Sequence, residues 1–411
     1  MAIVEKTAGG VREPAPWLYD PARAVVRVLL RRFCGYRCTE RDAIPETGPL
    51  FVVCAHEGMM DYLLSASAFP RRRLHYVCTQ HFFRKPGLSP LLRLLGVIPK
   101  IQFAPDARCM SAMLRTLRNG GAICISPAGQ TSMCGVPGPI DPSIGRLAKK
   151  SGATVVAARL NGSFFLRSRF CGTALNRGRI DAETEVLFRP EELKEHSEAA
   201  IAERIIAAID YDVYAWQERT GASFRGKHRA KGYETIACIC PKCGARYSYA
   251  SKGDRLWCNA CGNTGTVGAD MHIHPEEGSV MPTTLRDWYR AQTEVMREAI
   301  AQPDFLLTAP SVVMLYDGRR YVPAGHGTLR MDREAISWEG EANGERRMFS
   351  IRHMRLLSMA CDPGERLDIY FEEVGTVRFE PDEGKIVTLW KIAQELLHQQ
   401  ALPAPKKEEN A

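Results

Sequence analysis

The sequence predicts an α/β protein: a mostly parallel sheet with helices on both faces, followed by a small cysteine-knuckle module and an antiparallel β-barrel-like domain with a C-terminal helix. Three observations carry that expectation. Residues 48–215 alternate strand-like and helix-like segments, the pattern of a parallel sheet covered on both faces. Two Cys-x2-Cys-Gly knuckles follow between residues 240 and 262. From Phe305 the apolar period falls to two, until a final amphipathic helix restores the longer spacing.

Composition narrows the classes. A chain of 411 residues is long enough for several domains, and 45% hydrophobic residues suffice for real cores. The net charge of +8 favours anionic partners: a membrane surface, phosphate groups or an acidic carrier protein. No charge-free apolar run reaches the ~20 residues that cross a bilayer. Met1–Lys6 lacks the charged-then-apolar layout of a signal peptide. The fourteen cysteines therefore read as reduced thiols plus one organised cluster, in a cytoplasmic protein associated peripherally with a membrane.

Residues 1–40 form an amphipathic helical lead-in. Gly9-Gly10 and Pro14-Ala15-Pro16 loosen its start, and a helix is expected from Asp20-Pro21, with proline in the first turn. Arg23, Arg27 and Arg31 recur every four residues beside Val25, Val26, Val28, Leu29, Leu30 and Phe33. Such a helix either lies on an anionic membrane or packs on the domain with its arginines in water.

Residues 41–225 form the α/β domain. Strands are expected at Leu50–Ala55, Leu74–Thr79, Gly121–Ser126 and Ala153–Leu160. Helices are expected from Asp61 through Phe69, and at Leu88–Leu95, Met110–Leu117 and Ser143–Lys150, with a last one around Ile201–Ile209. Thr220–Lys231, polar and basic with glycines, reads as a linker. In open α/β sheets the site lies at the strand ends, and His56, Lys100, Pro127-Ala128-Gly129 and Asn161-Gly162 all fall there.

The chemistry centres on Phe51–Asp61. An apolar strand runs into His56, Gly58 loosens the chain, and Asp61 follows five positions after the histidine. On one continuous helix, side chains five apart point about 140° away from each other and could not pair. If His56 ends the strand and Asp61 opens the next helix, the carboxylate reaches one imidazole nitrogen and fixes its tautomer. The other nitrogen is then free to accept a proton. No serine or cysteine nucleophile lies nearby in sequence. The arrangement suits a hydroxyl that attacks an activated acyl group directly.

Four blocks in order extend this reading: Ala55–Asp61 (His-x4-Asp), Leu95-Gly96-Val97-Ile98-Pro99-Lys100, Ile125–Ser132 and Val155–Gly162. Over residues 45–215 they resemble the glycerophospholipid acyltransferase superfamily, typified by 1-acylglycerol-3-phosphate acyltransferase. The resemblance implies a general base at His56, oriented by Asp61. It implies substrate contacts from Gly96, Lys100, Pro127, Gly129, Gln130, Thr131 and Ser132. Acyl-CoA or acyl-carrier protein would be the donor co-substrate and a lipid the acceptor. Two departures stand out: Ala128 replaces the family's third-block glutamate, and Lys100 offers a point charge where the family has an arginine fork.

In residues 236–265, Cys240, Cys243, Cys258 and Cys261 form two knuckles separated by fourteen residues, a zinc ribbon. Each knuckle turns two thiolates toward one tetrahedral ion, and four thiolates leave no open position for catalysis. Aromatic and basic residues interleave only sparsely there (Lys252, Arg255, Trp257), so no nucleic-acid partner is expected. Residues 280–302 are a connecting helix that opens with the capping box Thr284-x-x-Asp287. Residues 304–402 show seven or eight short strands and a helix bearing Ile386, Leu389, Trp390, Ala393, Leu396 and Leu397, which resembles a pleckstrin-homology-like barrel. Residues 403–411 are expected to be disordered.

The sequence thus points to an O-acyltransferase that moves a fatty acyl group to a hydroxyl of a lysophospholipid or related lipid. A non-catalytic lipid- or partner-binding scaffold of the same fold is the alternative, because of Ala128.

Overall fold

The computed structural model describes residues 11–85 and 87–402. The expectations for Gly9-Gly10 and for the tail lie outside these residues. The first sheet comprises β1 (Arg37–Glu40), β2 (Leu50–Cys54), β3 (Leu74–Thr79), β4 (Ile98–Lys100), β5 (Ala122–Ile125) and β6 (Thr154–Asn161). After the short β7 (Arg177–Gly178), the last strand of this sheet is β8 (Asp181–Phe188). Its order is β1-β8-β6-β2-β5-β3-β4. Strands β2 to β6 are mutually parallel, so their C-terminal ends share one rim. Only β8 turns against β6, carrying β1 with it.

Helices cover both faces. They are α1 (Pro16–Cys34), α2 (Asp61–Ala68), α3 (Leu88–Leu94), α4 (Ala107–Arg118), α5 (Ser143–Ser151), α6 (Ser163–Leu166), α7 (Glu192–Glu195), α8 (Glu198–Ile209) and α9 (Val213–Thr220). Strand β2 shows how the layers form. Its side chains alternate faces, as any strand's must. Leu50, Val52 and Cys54 pack with Leu30 and Leu64 from α1 and α2. Phe51 and Val53 pack with Met113, Ala148 and Ile205 from α4, α5 and α8. Both faces being buried, the strand reads LFVVC with no polar alternation.

Two local expectations change. Helix α1 opens at Pro16, not at Asp20, because Pro16 supplies the pre-set first turn and Pro21 is tolerated further in. The stretch expected as a linker is packed: Ala222, Phe224 and Ala230 are buried, β9 (Phe224–Arg225) pairs with β7, and Arg229 binds Asp254 at 2.7 Å. A few apolar residues in a polar segment decide its placement.

The knuckle module is a four-stranded antiparallel sheet of β10 (Tyr249–Lys252), β11 (Arg255–Cys258), β12 (Thr264–Val267) and β13 (Ile273–Pro275). Helix α10 (Leu285–Ala301) is capped by Thr284, which accepts from Asp287 N. The third sheet contains β14 (Leu307–Tyr316), β15 (Tyr321–Met331), β16 (Ala335–Ala342), β17 (Glu345–Arg352), β18 (Ala360–Asp362), β19 (Arg366–Phe371) and β20 (Gly375–Pro381), with α11 (Val387–Ala401) behind it. Its order is β17-β16-β15-β14-β20-β19-β18, all antiparallel; it curls as a half-barrel whose pairing does not close. The glycines at 325 and 327 sit inside β15. A Cβ there would lie 1.8 Å from Glu341 O and 2.4 Å from Glu339 O, so glycine is needed for contact with β16.

The modules share one core. From Leu64 and Phe165 it runs through Tyr214, Tyr249 and Trp288 to Trp338 and Phe379.

Candidate active site

Strand β2 ends at Cys54, and Asp61 is the first residue of α2, so the chain folds back at Gly58 as the spacing predicts. His56 Nδ1 lies 2.9 Å from Asp61 Oδ2. The aspartate is 5% exposed and the imidazole 27%. Asp61 also accepts from Gly58 N, at 3.2 and 3.1 Å to its two oxygens, and from Ser163 Oγ. With a buried carboxylate beside it, Nδ1 is the protonated nitrogen and Nε2 keeps its lone pair. His56 O is fixed in turn by Ser132 N at 3.0 Å and the Tyr211 hydroxyl at 3.1 Å.

Between the pair in sequence lies Glu57, fully buried, with Oε1 accepting from Leu160 N at 3.2 Å and Oε2 without a partner among the described residues. Burial, reinforced by the charge of Asp61, pushes its carboxyl well above the usual carboxylate range. Glu57 is therefore the carboxyl of this site that burial favours in its protonated form.

The other sequence-predicted residues divide. Lys100 ends β4 on the same rim, its Nζ 3.4 Å from Ala104 O. Pro127 and Gly129 follow β5. Gly129 has φ +73°, donates to Ser126 O, and accepts from Gln102 Nε2 at 2.7 Å. Phe103 presses on it so closely that a Cβ would sit 3.0 Å from the ring. Gln130, Thr131 and Ser132 are buried. Gln130 donates to Met359 O at 3.2 Å and accepts from Cys361 N, both in the third module. Ser132 Oγ closes a local turn with Val136 O and Gly135 N, and Thr131 Oγ1 has no partner among the described residues. Gly96 lies at the other end of β4, where φ +63° and the nearby Arg12 O and His75 demand glycine.

Sequence reasoning missed Ser163, Glu57, Tyr211 and the reach of the third module. Ser163 adjoins the fourth block, but nothing in its spacing marks it. The third module meets the rim through Arg169–Asp362 at 2.8 Å and through Arg84, stacked 3.7 Å above the Tyr316 ring. A small cleft between them is lined by His81, Arg84 and Gln102 on one side and Tyr321, Asp368 and Thr376 on the other. Burial, with the cation of Arg378 next, pushes His81 down to about 4, so it is neutral there.

A second cluster lies apart. The sulfurs of Cys240, Cys243, Cys258 and Cys261 all fall within 4.8 Å of one another. The glycine after each knuckle, Gly244 and Gly262, has φ +73° and donates to the first cysteine's carbonyl. The Tyr249 hydroxyl lies 3.5 Å from Cys240 Sγ, and Ser248 Oγ lies 3.0 Å from Cys258 Sγ. Burial raises Cys240, but the Tyr249 hydroxyl and the N–H groups of Cys243 and Lys242 outweigh it and bring the thiol to about 6. Four convergent sulfurs with outer donors are compatible with a structural metal.

Helix α1 leaves Trp17, Val25, Val28, Leu29 and Phe33 exposed, and Arg177 lies over the Phe33 ring. Among the described residues no helix is long and apolar enough to cross a membrane.

Residues 35–161 match the family model described as Acyltransferase, a span that holds the histidine, the aspartate and β1 to β6. That match supports acyl transfer as the chemistry of this region. No curated protein matches the chain. Solved structures that resemble it include the crystal structure of the 1-acyl-sn-glycerophosphate (LPA) acyltransferase, PlsC, from Thermotoga maritima. The identity is 17%, over 46% of this chain and 79% of that one, with a TM-score of 0.37.

Proposed function

We propose that this chain is an O-acyltransferase that moves a fatty acyl group from acyl-CoA or acyl-carrier protein to a hydroxyl of a lysophospholipid or related lipid. The observation that carries this reading is the His56–Asp61 pair at the sheet rim, with Nδ1 engaged and Nε2 free. His56 Nε2 takes the acceptor's hydroxyl proton as the oxygen attacks the thioester carbonyl. The C–O bond forms, the C–S bond breaks, and the imidazolium returns the proton to the departing thiolate. Asp61 offsets the imidazolium charge in between. A base in this position contributes about 10²–10⁴-fold.

Backbone donors for the tetrahedral oxyanion come, in this reading, from the N–H groups of Ala128, Gln130 and Thr131 in the Pro127–Ser132 loop, since Gly129 N is given to Ser126 O and Ser132 N to His56 O. Lys100 supplies positive charge for a phosphate-bearing substrate. The exposed apolar residues of α1, with Arg32 and Arg177 beside them, rest on an anionic membrane and bring the rim to lipid. The four cysteines hold a structural zinc, which steadies the module between the rim and the third sheet. That sheet, with α11, is read as a pleckstrin-homology-like module. The working place is the cytosolic face of a membrane.

The scaffold reading draws on the buried third-block loop: Gln130 is bonded to the third module and Ala128 carries no charge. One assay separates the two. Purified protein is incubated with acyl-CoA or acyl-carrier protein and a panel of lysolipids and alcohols, and free thiol is followed. Acyl transfer predicts acceptor-dependent thiol release that is lost in His56→Ala; a scaffold releases none with any pair.

A further inference from the structure

We infer that Ser163 is a positioning residue of the transfer site, holding Asp61 in the orientation that His56 requires. The inference rests on the reading of His56 as the base. The two loops that meet here come from the ends of neighbouring strands, β2 and β6. Gly162 ends the second with φ +96°, and a Cβ on it would lie 2.7 Å from Arg179 O. That left-handed residue turns the chain back, and Ser163, fully buried, donates its hydroxyl to Asp61 Oδ1. His56 binds the other oxygen, Oδ2.

Gly58 makes the contact possible. A Cβ at residue 58 would lie 2.4 Å from Ser163 O and 2.9 Å from Ser163 Oγ. Glu57, the preceding residue, ties the same two loops through Leu160 N. The strand ends are therefore clasped, and the hydroxyl arrives from across the sheet.

The clasp does two things for a buried carboxylate. A donor on Oδ1 stops the carboxylate from rotating, so Oδ2 stays aimed at Nδ1. It also supplies a donor to a lone pair of that buried oxygen, which would be costly to leave unpaired. Without it, Asp61 has one buried lone pair unmet and gives its charge less selectively. The imidazolium is then held in a looser and differently balanced site.

The test uses the full chain, with Ser163→Ala and Ser163→Thr compared to wild type. One readout needs no turnover: the downfield proton signal of His56 Nδ1–H in NMR. It is expected to move or broaden away in Ser163→Ala and to return in Ser163→Thr. In the thiol-release assay, Ser163→Ala is expected to lose roughly tenfold in kcat, the worth of one charge-assisted hydrogen bond, with KM kept. An unmoved Nδ1–H signal in Ser163→Ala overturns the inference. So does a wild-type kcat in that variant. If wild-type protein releases no thiol from any donor, the transfer reading falls, while the NMR signal still decides the role of Ser163.

Discussion

The first and third sheets bury their strands differently, and the difference tells where chemistry can sit. In β2 every residue is buried, and five parallel strands end at one rim. A sheet covered on both faces has only its ends to offer, so polar side chains gather there: His56 and Asp61, Lys100, and the loop after β5. In β17 and β19 burial alternates, and one face meets water. The polar groups of that third sheet largely satisfy one another: Arg378 grips Asp368 at 2.8 and 3.0 Å, Arg347 pairs with Glu345, and Arg346 and Arg355 pair with Glu339 and Glu372. One region gathers its polar groups at the strand ends; the other pairs its charges across its own surface.

If that contrast holds, the largest effect belongs to the rim. His56→Ala is expected to cost about 10²–10⁴ in turnover while the melting temperature stays within a few degrees. A comparable change in the third sheet should do the reverse. Trp338, fully buried against Phe349 and Phe379, is expected to cost about 3–5 kcal/mol of stability when cut to alanine. Turnover per folded molecule should stay near wild type, measured by thiol release on protein that still shows native circular dichroism. Loss of turnover without loss of stability in Trp338→Ala would erase the division between the two regions.

The same contrast explains what could be read from the chain. Strand β3 falls at the residues its pattern predicts, and α4 and α5 within a few of them, because a doubly covered sheet writes itself as apolar runs punctuated by glycine and proline. The His56–Asp61 contact follows from the five-residue spacing and Gly58. Ser163 was not legible, since its partner lies far away in sequence and the clasp depends on two loops meeting. The contact of Gln130 with Met359 and Cys361 was equally hidden: a polar side chain in a glycine-containing loop looks like a ligand contact until a distant module closes over it.

A smaller effect tests the rim's electrostatics. Glu57 is held protonated by burial, with Asp61 second, so its folded-state pKa lies above its unfolded one. The stability it lends is fully present below the unfolded value and is lost as pH rises through the folded one. Glu57→Gln keeps the acceptor for Leu160 N and removes that titration. It is expected to flatten the fall in stability above pH ~4.5 and to gain on the order of 1 kcal/mol at neutral pH. Denaturant unfolding at several pH values checks it; a slope identical to wild type would mean that Glu57 ionises freely in the folded protein.

The smallest effect lies at the seam between the regions. Arg169, from the loop beyond Ser163, binds Asp362 of β18 at 2.8 Å, with both side chains partly buried. Burial pushes Asp362 up, but Arg169 and then Arg366 outweigh it and leave the carboxyl below its ordinary value. Its contribution is therefore present above the ordinary carboxylate pKa and is lost as pH falls through the folded value. Arg169→Ala leaves Arg366 in place, so the cost is expected to be about 1 kcal/mol, with the acid loss beginning at higher pH. Because Gln130 crosses the same seam, the loop after β5 should loosen with it. The apparent KM for the lipid acceptor would rise a few-fold while kcat is kept. An unchanged KM together with unchanged acid stability would show that the third module only rests against the rim and does not help to shape it.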